Sequence, residues 1–248
     1  MKILFSPSES KSNLEDHKQY INKTSFCCSE LYDTRYEIIK KYQSLTTNAN
    51  LQTLKKIFGI KDEQKCLEFA QKDITKSFTC KAVQRYNGVG YKYLDYNSLS
   101  KSRKDFIDNN VIIFSNLFGP ILAKDTIPNY KLKQGFNFEN CKIDEFYNKN
   151  FSYKLDKLLE GELIIDLRAG FYEKFYKIKE PYITMKFNKK GKVVSHWAKA
   201  YRGLILRELS KYQPLNKNDF DLIEFKNLKN TEIIEKNGKT EYIFEILE

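Results

Sequence analysis

The chain has 248 residues, enough for a sizeable core that needs no disulfides, so disulfide-stapled miniproteins and fibrous proteins are excluded. Its longest apolar runs, such as residues 111–114, are far shorter than the roughly 20 residues of a membrane span, and no membrane partner is expected. The 43 Lys and Arg against 32 Asp and Glu give a formal net charge of +11. That surplus favours an anionic partner such as nucleic acid, although a lysine-rich compositional drift would also produce it.

The first half of the chain predicts alternating strands and helices. A strand over residues 2–5 ends at Ser6-Pro7, and helices are predicted around residues 29–43, on both sides of 58–60, and around 98–108. Residues 111–114, Val-Ile-Ile-Phe, are typical of a buried central strand, which stops at Ser115-Asn116.

The second half adds a helix over residues 143–159 and a second buried strand over 163–167. Two hairpins follow, one pairing 182–187 with 193–197 and one pairing 232–235 with 241–247 around Asn237-Gly238. No linker or repeat divides the chain. We therefore predict one domain over residues 1–248, of α/β to α+β class, with a mixed β-sheet covered by helices.

Three predicted strands end in small or polar residues that could form a binding site. Phe5 precedes Ser6, Phe114 precedes Ser115, and Leu167 precedes Arg168. Ligands collect at the carboxyl ends of strands in open α/β sheets, because the loops there can aim side chains into one crevice. If the three ends are adjacent they form one site, whereas each alone is an ordinary loop.

Residues 195–207 hold the densest set of candidate site residues. Within a lysine-rich chain, Arg168, Arg202 and Arg207 carry more information than the lysines, because a guanidinium offers bidentate geometry. Gly203 costs about 1 kcal/mol within a helix, so we expect close approach of a phosphate or of another backbone there. The structural alternative is a solvated basic helix with Gly203 packed on a strand. The positions predicted to share this helix's apolar face are Ala198, Tyr201, Ile205, Leu209 and Tyr212.

Two further segments mix aromatic and charged residues. Tyr130 stands beside Lys131 in residues 127–135, a composition that suits a stacked base near a phosphate but is also common in loops. Glu173 lies in the first turn of a predicted helix after Gly170, where it could serve as an acid/base or only complement the helix dipole.

Other site chemistries find little support. Gly88-Val89-Gly90 lacks the third glycine and the Lys-Ser/Thr of a phosphate loop, and the two histidines show no metal-ligand spacing, so we predict no metal or other cofactor. The five cysteines are odd in number, and the adjacent Cys27 and Cys28 make a poor disulfide, so reduced thiols are expected. The apolar stretch 3–5 is too short for a secretory signal, which predicts a cytoplasmic protein.

Five segments, in order along nearly the whole chain, together resemble the YaaA family of bacterial peroxide-stress proteins. They are residues 3–11 (Ile-Leu-Phe-Ser-Pro-Ser-Glu-Ser-Lys), 115–119 (Ser-Asn-Leu-Phe-Gly), Tyr130-Lys131-Leu132 with Gly135, 171–174 (Phe-Tyr-Glu-Lys), and Ala198-Lys199 with Arg202-Gly203. The resemblance implies a cytoplasmic protein that limits hydrogen peroxide damage by restraining intracellular iron and that binds DNA through a basic cleft. It also implies an unusual α/β fold with a helix-hairpin-helix element.

Residues 54–60, followed by Cys66, Leu67 and Phe69, are the candidate for that element. The hairpin amides would then hold a phosphate without reading sequence. Lys61 replaces the second glycine usual in such hairpins, and a simple turn with Gly59 as the helix C-cap is the alternative.

These observations lead to three hypotheses. The first is a DNA-binding stress protein that contacts phosphates independently of sequence, with Tyr130 stacking on a base. The second is an enzyme acting on a nucleotide, base or other phosphorylated ligand, with Glu9 or Glu173 as acid/base and Lys174 or Lys199 as electrophile or nucleophile. The third is iron or peroxide handling by the thiols of Cys27 and Cys28, whose replacement by serine we expect to leave protection unchanged. The candidate anion-binding residues are Ser6, Lys11, Tyr130, Lys131, Gly135, Arg168, Lys199, Arg202, Gly203 and Arg207.

Overall fold

The structure, a computed structural model, describes residues 1–247 apart from the side chains of Ser195 and His196. Its helices are α1 (Tyr32–Asn48), α2 (Leu51–Phe58), α3 (Glu63–Ala70), α4 (Ala82–Arg85), α5 (Val89–Leu94), α6 (Lys101–Asn110), α7 (Ile143–Leu159), α8 (Ser195–Tyr212) and α9 (Lys217–Asp221). Its strands are β1 (Lys2–Phe5), β2 (Thr79–Lys81), β3 (Val111–Ser115), β4 (Gly119–Leu122), β5 (Thr126–Pro128), β6 (Ile164–Leu167), β7 (Tyr182–Lys189), β8 (Lys192–Val193), β9 (Leu228–Lys236) and β10 (Lys239–Ile246).

The main sheet mixes parallel and antiparallel pairs, as predicted. Its strand order is β4-β3-β1-β6-β7-β10-β9, with β8 paired to β7. The strands from β3 to β10 along this order run parallel, whereas β4, β8 and β9 pair antiparallel with their neighbours. Every residue of β3 and β6 is buried, because both faces of the sheet are covered. The α/β class with a mixed sheet covered by helices is thus confirmed.

Both predicted hairpins are present, with different bounds. Asn237 and Gly238 have φ values of 51° and 77° and join β9 to β10, as expected for a two-residue turn with both central residues left-handed. The first hairpin ends earlier than predicted, because β8 stops at Val193 and the chain enters α8 at Ser195. Residues 195–197 join the helix because α8 buries an apolar face, on which Ala198, Tyr201, Ile205 and Leu209 lie. Tyr212, predicted on the same face, is exposed at the end of the helix.

Helices α2 and α3 form the pair predicted around Phe58 to Ile60. Gly59 ends α2 in the left-handed region at φ 65°, which confirms it as the helix C-cap. The Asp62 carboxylate accepts a hydrogen bond from the Lys65 amide and so caps α3. Phosphate binding by a helix-hairpin-helix in this pair stays a prediction.

Two structural features position the candidate site. β1 and β6 are adjacent and parallel, with Phe5 in register with Leu167, so their carboxyl ends open at the same edge of the sheet. Above that edge α5 crosses α8, and these two helices touch through Gly90 and Gly203. Among the helices described, none is both long and apolar enough to cross a bilayer.

Candidate functional site

A cavity of about 400 Å³ lies at the carboxyl ends of β1 and β6. Ser6 joins the two strand ends, because its Oγ accepts a hydrogen bond from the Ala169 amide at 2.8 Å. The Ser6 carbonyl also accepts the Tyr91 hydroxyl of α5 at 2.9 Å. The cavity is lined by residues 5–10 and 88–91, and by Gln134, Leu167, Ala169, Tyr172, Lys199 and Arg202. Its volume falls within the range of small-ligand sites.

Lys199 and Arg202 project from α8 into this cavity and into a second one of about 300 Å³ beside β7. Within the described part of the chain, neither cation makes a hydrogen bond or an ion pair. Burial lowers the pKa of the Arg202 guanidinium, against the opposing charges of Asp166 and Glu173. Arginine stays charged in proteins even so. The site therefore holds a half-buried positive charge that has no direct partner in the described part of the protein.

Three charged residues surround the Glu9 side of the cavity. The Glu9 carboxylate accepts the Gln134 amide at 3.1 Å and lies 3.6 Å from the Lys131 ammonium. The Lys11 ammonium donates to the Ser8 carbonyl at 3.2 Å. Lys11 and Lys131 thus both contact residues 8 and 9 of one cavity wall, and Arg202 lines the same cavity from α8.

The Lys11 ammonium lies against two aromatic rings and near a second cation. Its ammonium is 4.0 Å from the centre of the Tyr130 ring and 5.5 Å from that of Tyr86. Burial, followed by repulsion from Lys131, lowers the pKa of Lys11 to about 7. The positive charge on this side of the cavity therefore varies with pH near neutrality.

The family model described as "Peroxide stress protein YaaA" matches residues 1–232. The chain belongs to this family. It is 47% identical to the protein Cj0984 of Campylobacter jejuni over the full length of both chains. It is also 31% identical to the UPF0246 protein MYPE6270 of Malacoplasma penetrans over 98% of each chain, and 27% identical to the UPF0246 protein FN1762 of Fusobacterium nucleatum over 90% of this chain and 91% of that protein. The YaaA resemblance of the sequence is confirmed.

Tyr130, one of the residues carrying the YaaA resemblance, is fully buried, which corrects its predicted role. Its hydroxyl shares hydrogen bonds with Tyr86 at 3.0 Å and with Ser115 Oγ at 2.9 Å. Because the Tyr130 side chain is fully buried and Lys11 covers one face of its ring, the ring offers no face on which a base could stack. The same contacts close the end of β3. Two of the three predicted strand ends therefore open into the cavity, and the third is part of the core.

Arg168 is also structural, in place of its predicted anion-binding role. Its side chain is buried and forms a bidentate pair with Asp166, both bonds 2.8 Å long. Its Nη1 donates to the carbonyls of Tyr172 and Tyr176. The guanidinium is 4.6 Å from the centre of the Phe114 ring. These contacts hold the turn after β6 and use the guanidinium donors within the protein.

Gly203 and Arg207 join α8 to α5 and do not line the cavity, so neither is placed to bind an anion there, whereas the expected close approach of another backbone to Gly203 is confirmed. A Cβ atom on Gly203 would lie 2.0 Å from the Gly90 carbonyl oxygen, so the reason for this glycine is another backbone and not a phosphate. The neighbouring backbone belongs to a helix, not to the strand of the structural alternative. Arg207 donates to the carbonyls of Leu94 and Asp95 at 2.8 and 3.0 Å, where α5 ends.

Three further predicted residues lie outside the cavity lining. Gly135 has a φ of 78° and serves a turn beside the Phe171 ring. Glu173 and Lys174 are exposed on the short 3-10 helix Gly170–Phe175. Glu173 influences Arg202 only through its charge. The predicted residues that do line the cavity are Ser6, Glu9, Lys199 and Arg202.

The sequence interpretation missed the Gly88-Val89-Gly90 segment as part of the site. A Cβ atom on Gly88 would lie 2.2 Å from Ser8 Oγ, so a larger residue would force Ser8 to move, and glycine lets the two cavity walls meet there. The two glycines separated by one residue are the feature of the sequence that marks this segment, but they do not fit the phosphate-loop pattern. Tyr172 belongs to a segment that carries the family resemblance but was not assigned a site role, and Tyr91 and Gln134 lie in no motif that indicates one. Among the described side chains, no group of three His, Cys, Asp or Glu could hold a metal ion.

Proposed function

We propose that this protein acts in the cytoplasm during peroxide stress by binding DNA at the cavity and its lysine-bearing rim, independently of base sequence, and so helps limit iron-dependent oxidative damage. The observation that supports this most directly is the half-buried Arg202 guanidinium beside Lys199, with no hydrogen-bond or ion-pair partner among the described residues. A desolvated cation without a direct hydrogen-bonded partner is costly, and a phosphate oxygen would supply that partner.

The other charges around the cavity suit a polyanion. Lys11 and Lys131 contact the wall opposite α8, and the whole chain carries a net charge of +11. Contacts of this kind position a phosphate backbone without reading bases. Each phosphate that is neutralised releases bound counterions, which makes the affinity fall as salt rises.

The test is the salt dependence of duplex binding, measured by fluorescence anisotropy on purified protein. Arg202→Gln should weaken binding and reduce the slope of log affinity against log salt by roughly one unit. Lys211→Gln is the matched control, because Lys211 is an exposed cation near the other end of the same helix. Salt-insensitive binding, no binding at low salt, or equal effects of the two substitutions would reject the proposal.

The enzyme hypothesis loses one of its two candidate acids, since Glu173 lies outside the cavity lining. Glu9 is the carboxylate that remains there. A Glu173→Gln variant should therefore keep both DNA affinity and protection against peroxide. If it keeps DNA affinity but loses protection, an enzymatic role for Glu173 is favoured.

A further inference from the structure

Two neighbouring thiols lie outside the cavity lining, just before the first long helix. The Sγ atoms of Cys27 and Cys28 are 3.7 Å apart and share a hydrogen bond. Cys27 is exposed, whereas Cys28 is only 3% exposed. The pair thus combines a sulfur at the surface with one protected just beneath it.

Beside this pair lies a buried arginine with unused hydrogen-bond donors. Arg35 is fully buried, and its guanidinium lies between the rings of Phe26 and Phe151, 4.5 and 4.9 Å from their centres. Its Nη2 donates to the Pro120 carbonyl, but Nε and Nη1 have no hydrogen-bond partner among the residues that the structure describes. Buried charged donors are costly when unpaired, so this environment favours the appearance of an anion nearby.

The charges around the pair favour a thiolate on Cys28. A hydrogen bond from the Cys27 thiol lowers the pKa of Cys28, and the Arg35 and Lys154 charges act in the same direction against burial and Glu30. The same hydrogen bond raises the pKa of Cys27, helped by burial and by the Asp125 carboxylate, while Arg35 opposes this. Asp125 itself accepts the Cys27 amide at 3.1 Å, and burial raises its pKa to about 6.

We propose that Cys27 and Cys28 form a peroxide-reactive dithiol, in which Cys28 attacks and Cys27 resolves. The Cys28 thiolate attacks one oxygen of hydrogen peroxide, the O–O bond breaks, and hydroxide leaves, so that sulfur is oxidised to sulfenic acid and peroxide is reduced. The Cys27 thiol then attacks that sulfur, forming an S–S bond and releasing water. The two steps consume one peroxide and two thiol hydrogens.

The product would be easily reversed. Adjacent Cα atoms are about 3.8 Å apart across a trans peptide, closer than in ordinary disulfides, so the bond between these residues is strained and readily reduced by another thiol. The oxidised state would last only while peroxide exceeds the reducing capacity around it. This inference does not rest on DNA binding, because neither cysteine lines the cavity.

The other cysteines of the chain provide internal controls. Burial raises the pKa of Cys66, Cys80 and Cys141, which leaves each of them predominantly as an unreactive thiol. Cys141 is the best comparison, because its side chain is partly exposed whereas Cys28 is buried, so faster oxidation of Cys28 would reflect its chemistry and not easier access.

The experiment treats the purified, reduced protein with one equivalent of hydrogen peroxide, blocks free thiols, and maps peptides by mass spectrometry. We expect the peptide containing Cys27 and Cys28 to lose two hydrogens and Cys141 to stay reduced, with oxidation of the pair at least about tenfold faster than that of Cys141. Cys27→Ser should leave a sulfenic acid on Cys28 that a dimedone probe traps, and Cys28→Ser should remove fast oxidation altogether.

A second measurement keeps the test independent of folding defects. In the Cys27→Ser protein, we measure the rate at which iodoacetamide alkylates Cys28 as a function of pH. Because only the thiolate reacts, this rate reports the fraction of Cys28 that is ionised. Arg35→Lys, used only if its thermal unfolding matches that of the parent protein, should slow peroxide oxidation of the pair several-fold. Equal oxidation of Cys141 and the pair, or fast oxidation that survives Cys28→Ser, would overturn the proposal.

Discussion

The carbonyl oxygen of Gly90 occupies the space that a side chain on Gly203 would need, 2.0 Å from an ideal Cβ position. This backbone contact sets how close α5 lies to α8. It brings the 88–91 wall of the cavity against Lys199 and Arg202. Gly203, which the sequence predicted as a site residue, therefore does not line the cavity but fixes the position of residues that do.

Gly203→Ala should destabilise the protein. Helix propensity alone would favour alanine by about 1 kcal/mol, but the added methyl group collides with backbone that cannot rotate away, and overpacking typically costs 1–3 kcal/mol. We expect a net loss of free energy of unfolding, measured by urea denaturation, and weaker DNA binding. Lys211→Ala on the exposed part of α8 is the control and should be neutral. A Gly203→Ala protein as stable as its parent would show that α5 and α8 can separate without cost.

Arg168→Met should be among the most destabilising single changes. It leaves the Asp166 carboxylate buried without its bidentate partner, and breaking such a pair costs roughly 3–5 kcal/mol. Denaturant unfolding measures the loss. Adding Asp166→Leu removes the unpaired charge and should restore part of the stability. If Arg168→Met is mild and mainly lowers DNA affinity, an anion-binding role for Arg168 is restored.

Binding of DNA should weaken as the pH rises through about 7. Lys11 has its pKa lowered to about 7, so it is a cation below that pH and loses its charge above it. Anisotropy titrations at pH values from about 6 to 8, at constant ionic strength, should show the decline, and Lys11→Gln should flatten it. The same pH dependence in the Lys11→Gln protein would assign the titration to another group.

Lys11 should also make the folded protein more stable as the pH rises, whereas it makes DNA binding weaker. Between about pH 7 and pH 10.5 the unfolded chain binds a proton at Lys11 that the folded protein does not, so this residue makes the free energy of unfolding rise with pH in that window. Comparing urea unfolding of the parent and Lys11→Gln proteins at pH 7 and pH 9 isolates the contribution. A difference between the two proteins that is constant with pH would contradict it.

Glu9→Gln should strengthen DNA binding at low salt. The substitution removes a negative charge from the cavity wall and frees the Lys131 ammonium 3.6 Å away. Because Glu9 is half-exposed, we expect a gain of only about 0.2–1 kcal/mol, or up to about fivefold in affinity. Glu173→Gln, outside the cavity lining, is the matched control. If Glu9→Gln instead leaves affinity unchanged and abolishes protection against peroxide, Glu9 acts as an acid/base and the enzyme hypothesis gains support.

Local pattern was enough to predict most of the secondary structure. The helix Ile143–Leu159 and the buried strands β1, β3 and β6 follow from the spacing of apolar residues, which depends only on neighbours in the chain. The hairpin turn at Asn237-Gly238 follows in the same way, because few residues tolerate its backbone angles. The predicted bounds were wrong at the start of α8, where residues 195–197 were predicted as a strand but belong to the helix.

The sequence by itself indicated the family and the mixed sheet, and it marked Ser6, Glu9, Lys199 and Arg202 as candidate site residues without placing them in one cavity. Only the tertiary structure decided which polar groups are available to bind a ligand and which hold the fold together. Tyr130, Arg168 and Arg207 have the chemistry of a binding site, but each finds partners inside the protein, some of them distant in sequence. A guanidinium or a phenol pairs equally well with a carbonyl of its own chain or with a ligand. The choice is set by burial, which no local pattern encodes.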